Sequence, residues 1–332
     1  MTWLNSASRG QPDPATRRRM ASYLDLEAQL GMAGAQAAVA DELDGVREPA
    51  AALIGAEAAE VGFVARTFEP WARHVLGLVR GGGRVVVAPH EWGENVRFLR
   101  DLADPLGLTV EVAASPDPED WLLEGAVAAF VPLVSAIDGH RYPVEAIGTK
   151  ARAAGVPLVV DAAQAVGQVP VDVATLGCDA LFATTRKWVR GPAQTGLAWL
   201  REPGAARALE ANDVNAALRL GQGVALRRAV ERLEAVGATA ARRFEMARGL
   251  GLTPTGGETA HLTFAIPQDA ASALAGALEG AGMHVSWPDR TTFEPLSPPD
   301  ADGARPLRLT PHLDVEDAQV EAALTMVAEA LA

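Results

Sequence analysis

Between residues 84 and 200 the chain repeats one arrangement. A short apolar, β-branched run ends in a polar or turn residue, and a longer stretch with apolar positions at helical spacing follows. The runs are RVVVA (84–88), TVEVA (109–113), VAAFVP (127–132) and PLVVD (157–161), with helical patterns at 67–80, 91–105 and 143–154. Strands alternating with helices predict a parallel sheet covered on both faces. DALFAT (179–184) and TGLAWL (195–200) predict a further strand pair. Upstream, 15–45 reads as a helix interrupted near Gly31 and Gly34. After about residue 205 the texture changes. A long helical stretch (205–248, broken near Gly221 and Gly223) precedes a strand at 260–266 and a helix at 268–281. A short run at 283–287, a strand at 306–310 and an amphipathic helix at 316–331 complete the chain. The reading is therefore an α/β protein with a large domain over 15–205. A smaller C-terminal α+β domain follows over 206–332, joined by residues 1–14.

Charge and composition narrow the function. A net charge of −13 argues against nucleic acid or an anionic membrane as partner. The single cysteine, Cys178, excludes an intramolecular disulfide or a cysteine-based metal cluster, and no metal is expected. No run approaches a membrane span, and Met1–Asn5 carries no secretory pattern, so a cytoplasmic location is expected. Gly81, Gly82 and Gly83 precede a strand instead of following one, which suits a turn and not a phosphate loop.

The candidate chemistry lies between Pro157 and Leu200. Asp161 ends one predicted strand, with Gln164 three residues on, and the next strand leads into Thr184-Thr185-Arg186-Lys187-Trp188. Ligands bind outside the carboxyl ends of strands in an open parallel sheet, so Asp161 and Lys187 should face one crevice. Taken singly, Asp161 reads as a helix cap and Lys187 as a surface lysine. Together they suit pyridoxal 5′-phosphate. A carboxylate keeps the pyridine nitrogen protonated, a lysine of lowered pKa carries the aldehyde as a Schiff base, and hydroxyls and cations hold the phosphate.

Residues 157–200, with PLVVDAAQ, ATTRKW and Gly191-Pro192, resemble the class V aminotransferase family, and the similarity extends over nearly the whole chain. The resemblance implies a fold type I architecture. It places Asp161 on the ring nitrogen, Gln164 near the ring hydroxyl, Thr184 and Arg186 at the phosphate, and Lys187 as the catalytic amine. It adds Thr67 and Phe68 at a helix start for the phosphate, although Arg66 stands where the family has glycine. By register Trp92, and not His90, is the aromatic expected to stack on the ring. Arg308, in Leu307-Arg308-Leu309, is expected to grip the substrate carboxylate, with Asn5 and Ala7 contributing to substrate binding. Family members are dimers with the active site at the interface. Asp213 falls where a partner threonine would meet the phosphate, and it is expected either to pair with Arg186 of the other subunit or to cap a helix.

Two departures bear on the reaction. Cysteine desulfurases of this family carry a nucleophilic cysteine before the carboxylate-binding arginine, whereas 285–305 contains none. Ala136 also replaces the asparagine expected over the ring. Leu4–Ala7, HEWGEN (90–95), Arg186-Lys187-Trp188 and LRLTPHLD (307–314) resemble the branch of the family that cleaves hercynylcysteine sulfoxide in ergothioneine biosynthesis. A C–S lyase acting on an amino-acid-type substrate is therefore expected, with 285–305 as a lid over the site. An aminotransferase or epimerase on the same residues, or a PLP-fold binding protein without activity, stays open at this point.

Overall fold

The computed structural model describes residues 1–210, 215–256 and 259–332. A two-residue strand β1 (Thr2–Trp3) precedes helices α1 (Pro14–Ala38), α2 (Ala40–Asp44) and α3 (Arg47–Ala52). The alternating region follows as β2 (Val61–Val64), α4 (Phe68–Val79), β3 (Gly83–Val87), α5 (Gly93–Leu106), β4 (Leu108–Val112) and β5 (Ala126–Pro132). It continues with α6 (Val144–Ala154), β6 (Leu158–Asp161), α7 (Val173–Leu176), β7 (Ala180–Thr184) and β8 (Gly196–Leu200). The last part holds α8 (Ala216–Gly249), β9 (Leu262–Ile266), α9 (Gln268–Gly280), β10 (Met283–His284), α10 (Arg290–Phe293), β11 (Arg305–Leu309) and α11 (Asp317–Leu331).

Seven strands form one sheet in the order β2-β8-β7-β6-β5-β3-β4. Only β8 runs against the others, pairing antiparallel with both β7 and β2. The predicted pair at 179–184 and 195–200 is thus antiparallel, with β8 inserted between β7 and the edge strand β2 of an otherwise parallel sheet. Successive residues of a strand point to opposite faces, and the two apolar layers record that alternation. Val86, Val131, Val160 and Leu181 enter one layer, whereas Val87, Phe130, Val159 and Phe182 enter the other. A third core joins β9, β11, α9 and α11 through Leu262, Phe264, Leu307, Leu309 and Leu324.

One expectation is corrected. Helix α8 is not broken near Gly221 and Gly223 but runs continuously over Ala216–Gly249. The glycines are there for close packing. A Cβ on Gly221 would fall 2.6 Å from the Met20 side chain, and one on Gly223 would fall 2.7 Å from Val46. The same helix ties the cores together, since Ala225, Leu226 and Ala229 pack with the sheet and Ala247 with the small unit. Gly31 does interrupt α1, with φ at +69°.

Strand β3 has β4 on one side and β5 on the other, so the sheet order reverses between β3 and β5. A crevice forms at the carboxyl ends of strands at such a switch point. No helix among the described residues is long and apolar enough to cross a membrane.

Candidate active site

The crevice is a cavity of about 320 Å³. The segment after β3 lends it His90 and Trp92; the end of β5 and the following loop lend Pro132, Val134 and Ala136. Strand β6 delivers Asp161, and the turn after β7 delivers Thr184, Arg186 and Lys187. Residues far apart in sequence meet because each lies just beyond a carboxyl strand end. Lys187 is fixed from behind. The Arg190 N–H donates to the Lys187 carbonyl at 3.0 Å, and the Gly10 N–H donates to the Arg186 carbonyl at 2.8 Å. A Cβ on Gly10 would lie 2.1 Å from the Lys187 carbonyl oxygen, so only glycine permits that approach.

Lys187 is 8% exposed, and its Nζ stands 5.7 Å from the centre of the Trp92 ring. Burial and the Arg186 charge pull its amine down to about 7, with Asp161 opposing them. Burial pushes the Asp161 carboxyl up, while Lys187, the Ala163 N–H at 2.8 Å and Asn95 draw it back. Behind them lies Glu91, 1% exposed, whose Oε1 accepts from Asn95 Nδ2 at 2.8 Å and from the Trp92 N–H at 3.1 Å. Burial and the Asp161 charge push Glu91 up to about 8. Both carboxyls are thus held above their ordinary range, chiefly by burial.

The sequence matches the Aminotransferase class-V family over residues 2–237. The chain belongs to that family. It is 28% identical over 210 residues to a probable cysteine desulfurase of Pyrococcus abyssi, covering 60% of this chain and 52% of the relative. It is 31% identical over 221 residues to a cysteine desulfurase of Serratia proteamaculans, covering 61% and 53%. The chain spans about half the length of the relatives it matches. Among solved structures, the apo cysteine desulfurase of Thermococcus onnurineus superposes with a TM-score of 0.85 at 22% identity. That match covers 99% of this chain and 94% of the other. An Escherichia coli cysteine desulfurase gives 0.84 at 18% identity, with coverage of 99% and 94%. These likenesses show a fold type I architecture. Members of the family use pyridoxal 5′-phosphate.

The residues fit that cofactor. Helix α4 opens onto the cavity without any side chain capping its first turn, so its N–H groups are available to a phosphate. Thr67, Phe68, Thr184, Arg66 and Arg186 border the same space. Burial and the charges of Arg9 and Arg66 lower the Arg186 pKa, an electropositive cluster suited to a dianion. Asp161, Lys187 and Trp92 provide a carboxylate, an amine and an aromatic face on the remaining walls. Gln164 also borders the cavity, but its Nε2 donates to the Ala7 carbonyl at 3.0 Å and its Oε1 accepts from Trp188 Nε1 at 3.2 Å.

Arg308 lies behind Ala136 and does not itself line the cavity. It is 1% exposed, donates to the Ala136 carbonyl, and reaches Ser8 Oγ at 2.7 Å. It forms no ion pair with any described carboxylate, and its Nε has no partner. Burial lowers its pKa to about 10. Arg186 donates to the Ser8 carbonyl, so two cations converge on one residue of the N-terminal segment.

Asn5 and Ala7 are corrected: the structure does not bring them to the cavity wall. Asn5 is buried beside β11, its Nδ2 at 3.5 Å from His284 Nε2. The Ala7 N–H donates to Thr310 Oγ1 at 3.1 Å, its carbonyl takes Gln164, and its side chain packs with Trp188. Both anchor the segment that presents Ser8. Asp213 lies outside the described residues.

Sequence reasoning missed Glu91, Asn95 and Tyr142. Glu91 and Asn95 sit one helical turn apart in HEWGEN, which could have flagged them as a pair. His90 was set aside for Trp92, yet both line the cavity. His90 Nδ1 lies 2.6 Å from the Tyr142 hydroxyl, and burial pulls the ring down to about 4. His90, Asp138 and Glu294 hold one potential metal-ligand atom each within 4.8 Å. The Arg290 guanidinium already occupies that spot, at 3.0 Å from Asp138 and 3.3 Å from Glu294.

Proposed function

We propose that the protein is a PLP-dependent C–S lyase that cleaves a cysteine S-conjugate, or its sulfoxide of the hercynylcysteine type, to a sulfur product, pyruvate and ammonia. The observation that carries this reading over desulfuration is the position of Cys178. The chain's only thiol is fully buried just before β7, its pKa pushed up to about 12, and it does not line the cavity. A buried thiol of raised pKa is a poor nucleophile and cannot receive sulfur from a substrate in the crevice.

When bound, pyridoxal 5′-phosphate supplies an electron-accepting ring that makes the Cα–H bond of an amino acid acidic. Asp161 would supply the negative charge that keeps the ring nitrogen protonated. Arg308 would supply the charge for the substrate carboxylate from behind Ala136, beside Ser8 Oγ. Lys187 Nζ, unprotonated above about pH 7, takes the Cα proton. The Cβ–S bond then breaks with its electron pair leaving on the sulfur group, and one water converts the remaining three-carbon unit to pyruvate and ammonia. The protein would work as a homodimer with the active site at the interface.

Holoprotein incubated with S-methyl-L-cysteine sulfoxide, S-methyl-L-cysteine and free cysteine tests the reading. Pyruvate from a conjugate, with no persulfide on Cys178, is the expected result. Amino transfer to a keto acid without pyruvate, or persulfide on Cys178, would overturn it.

A further inference from the structure

We infer that His90 Nε2–H is a fixed hydrogen-bond donor for the oxygen of a departing sulfur group, which makes His90 the residue that favours cysteine sulfoxides over thioethers. This rests on the lyase reading above.

The argument starts from Tyr142. Its ring is 1% exposed, and its hydroxyl meets two nitrogens among the described residues, the His90 N–H at 3.3 Å and His90 Nδ1 at 2.6 Å. The backbone N–H can only donate, so the hydroxyl oxygen accepts there. The buried O–H needs an acceptor, and Nδ1 is the one in reach. Nδ1 is therefore unprotonated, and the proton of the neutral ring sits on Nε2. That nitrogen makes no hydrogen bond among the described residues, yet it is not among the buried atoms lacking a partner. His90 lines the cavity, and Nε2 is the ring nitrogen left without a partner among the described residues.

The ring is also held neutral. Asp138 favours its charge, but burial together with His140 and Arg290 opposes it. His90 is thus a donor and not an acid. Passing its Nε2 proton on would require Nδ1 to take the Tyr142 proton, and burial raises the pKa of that phenol. In the proposed step the Cα proton goes to Lys187, the Cβ–S pair leaves on the sulfenate, and the His90 proton stays on Nε2, shared in a hydrogen bond. A neutral imidazole that stabilises developing negative charge without giving up its proton is a known device. A thioether sulfur accepts hydrogen bonds poorly, so it would gain little from this donor.

The test compares wild type, His90→Phe and His90→Gln holoproteins on S-methyl-L-cysteine sulfoxide and S-methyl-L-cysteine. The visible cofactor band and Tm confirm that each variant is loaded and folded. His90→Phe is expected to lower kcat on the sulfoxide by about 100-fold, as loss of an oxyanion donor does, and to lower the thioether rate far less. His90→Gln, which keeps an N–H, should recover part of the loss. Inhibition by methanesulfinate should weaken in His90→Phe, a binding readout independent of turnover. An unchanged sulfoxide-to-thioether ratio in His90→Phe, or unchanged methanesulfinate inhibition, would overturn the inference alone. No pyruvate from either conjugate with wild type would overturn the lyase reading and this inference with it.

Discussion

Two arginines that do not line the cavity differ in their partners. Arg290 sits among Asp138, Asp300 and Glu294 with nitrogen–oxygen distances of 3.0, 2.8 and 3.3 Å. Arg308, more deeply buried, touches only a carbonyl and two hydroxyls. Burying a charge without a counter-charge is costly, and side chains normally supply one. Arg290 has its anions in the fold, so it is a latch that fixes the 290–300 segment against the loop after β5. Arg308 forms no ion pair among the described residues. The difference separates a cation that holds the protein together from one that suits the proposed role at a substrate carboxylate.

The largest expected effect is at Lys187. Lys187→Ala should abolish pyruvate release and the visible cofactor band while the fold persists. Next, Arg308→Ala should lower kcat/KM by on the order of 100-fold, mostly through KM, because about 3 kcal/mol of charge-assisted carboxylate binding is lost. Its Tm should move less than that of Arg290→Ala, which strands three carboxylates and should destabilise by about 3–5 kcal/mol. If Arg290→Ala left Tm intact while Arg308→Ala unfolded the chain, the division of roles would be reversed. A smaller effect concerns pH. Lys187 must be unprotonated to act as base, so turnover should rise as pH increases through about 7 and then level off. The smallest involves Glu91. Its folded pKa is raised to about 8 from the ordinary 4.5. The folded state therefore binds more protons than the unfolded one in that window, and this group lowers stability as pH rises from 4.5 to 8. Glu91→Gln should flatten that part of the Tm–pH curve. A curve unchanged by the substitution would mean the carboxyl is already ionised.

Much of this was legible in the sequence because it is local. The β-branched runs at 84–88, 127–132 and 157–161 became β3, β5 and β6, since a strand buried on both faces needs such continuous runs. Asp161, Thr184, Arg186 and Lys187 reach one cavity because strand ends are where an open sheet places its polar residues. What depends on packing across the fold was not legible. The close contacts that make Gly221 and Gly223 glycine come from Met20 and Val46, far away in sequence. Asn5 and Ala7 belong to the right segment, but their bonds to His284 and Thr310 turn them from the cavity and leave Ser8 facing Arg308. The bond between Tyr142 and His90 spans 52 residues, and no periodicity announces it.

The account stands on Lys187 carrying the cofactor at the heart of this cavity. Reduction of the holoprotein with borohydride, followed by peptide mapping, measures that directly. A single stable adduct on the peptide containing Lys187 is the expected result. An adduct on another residue, or none in a protein that retains its visible band, would contradict it.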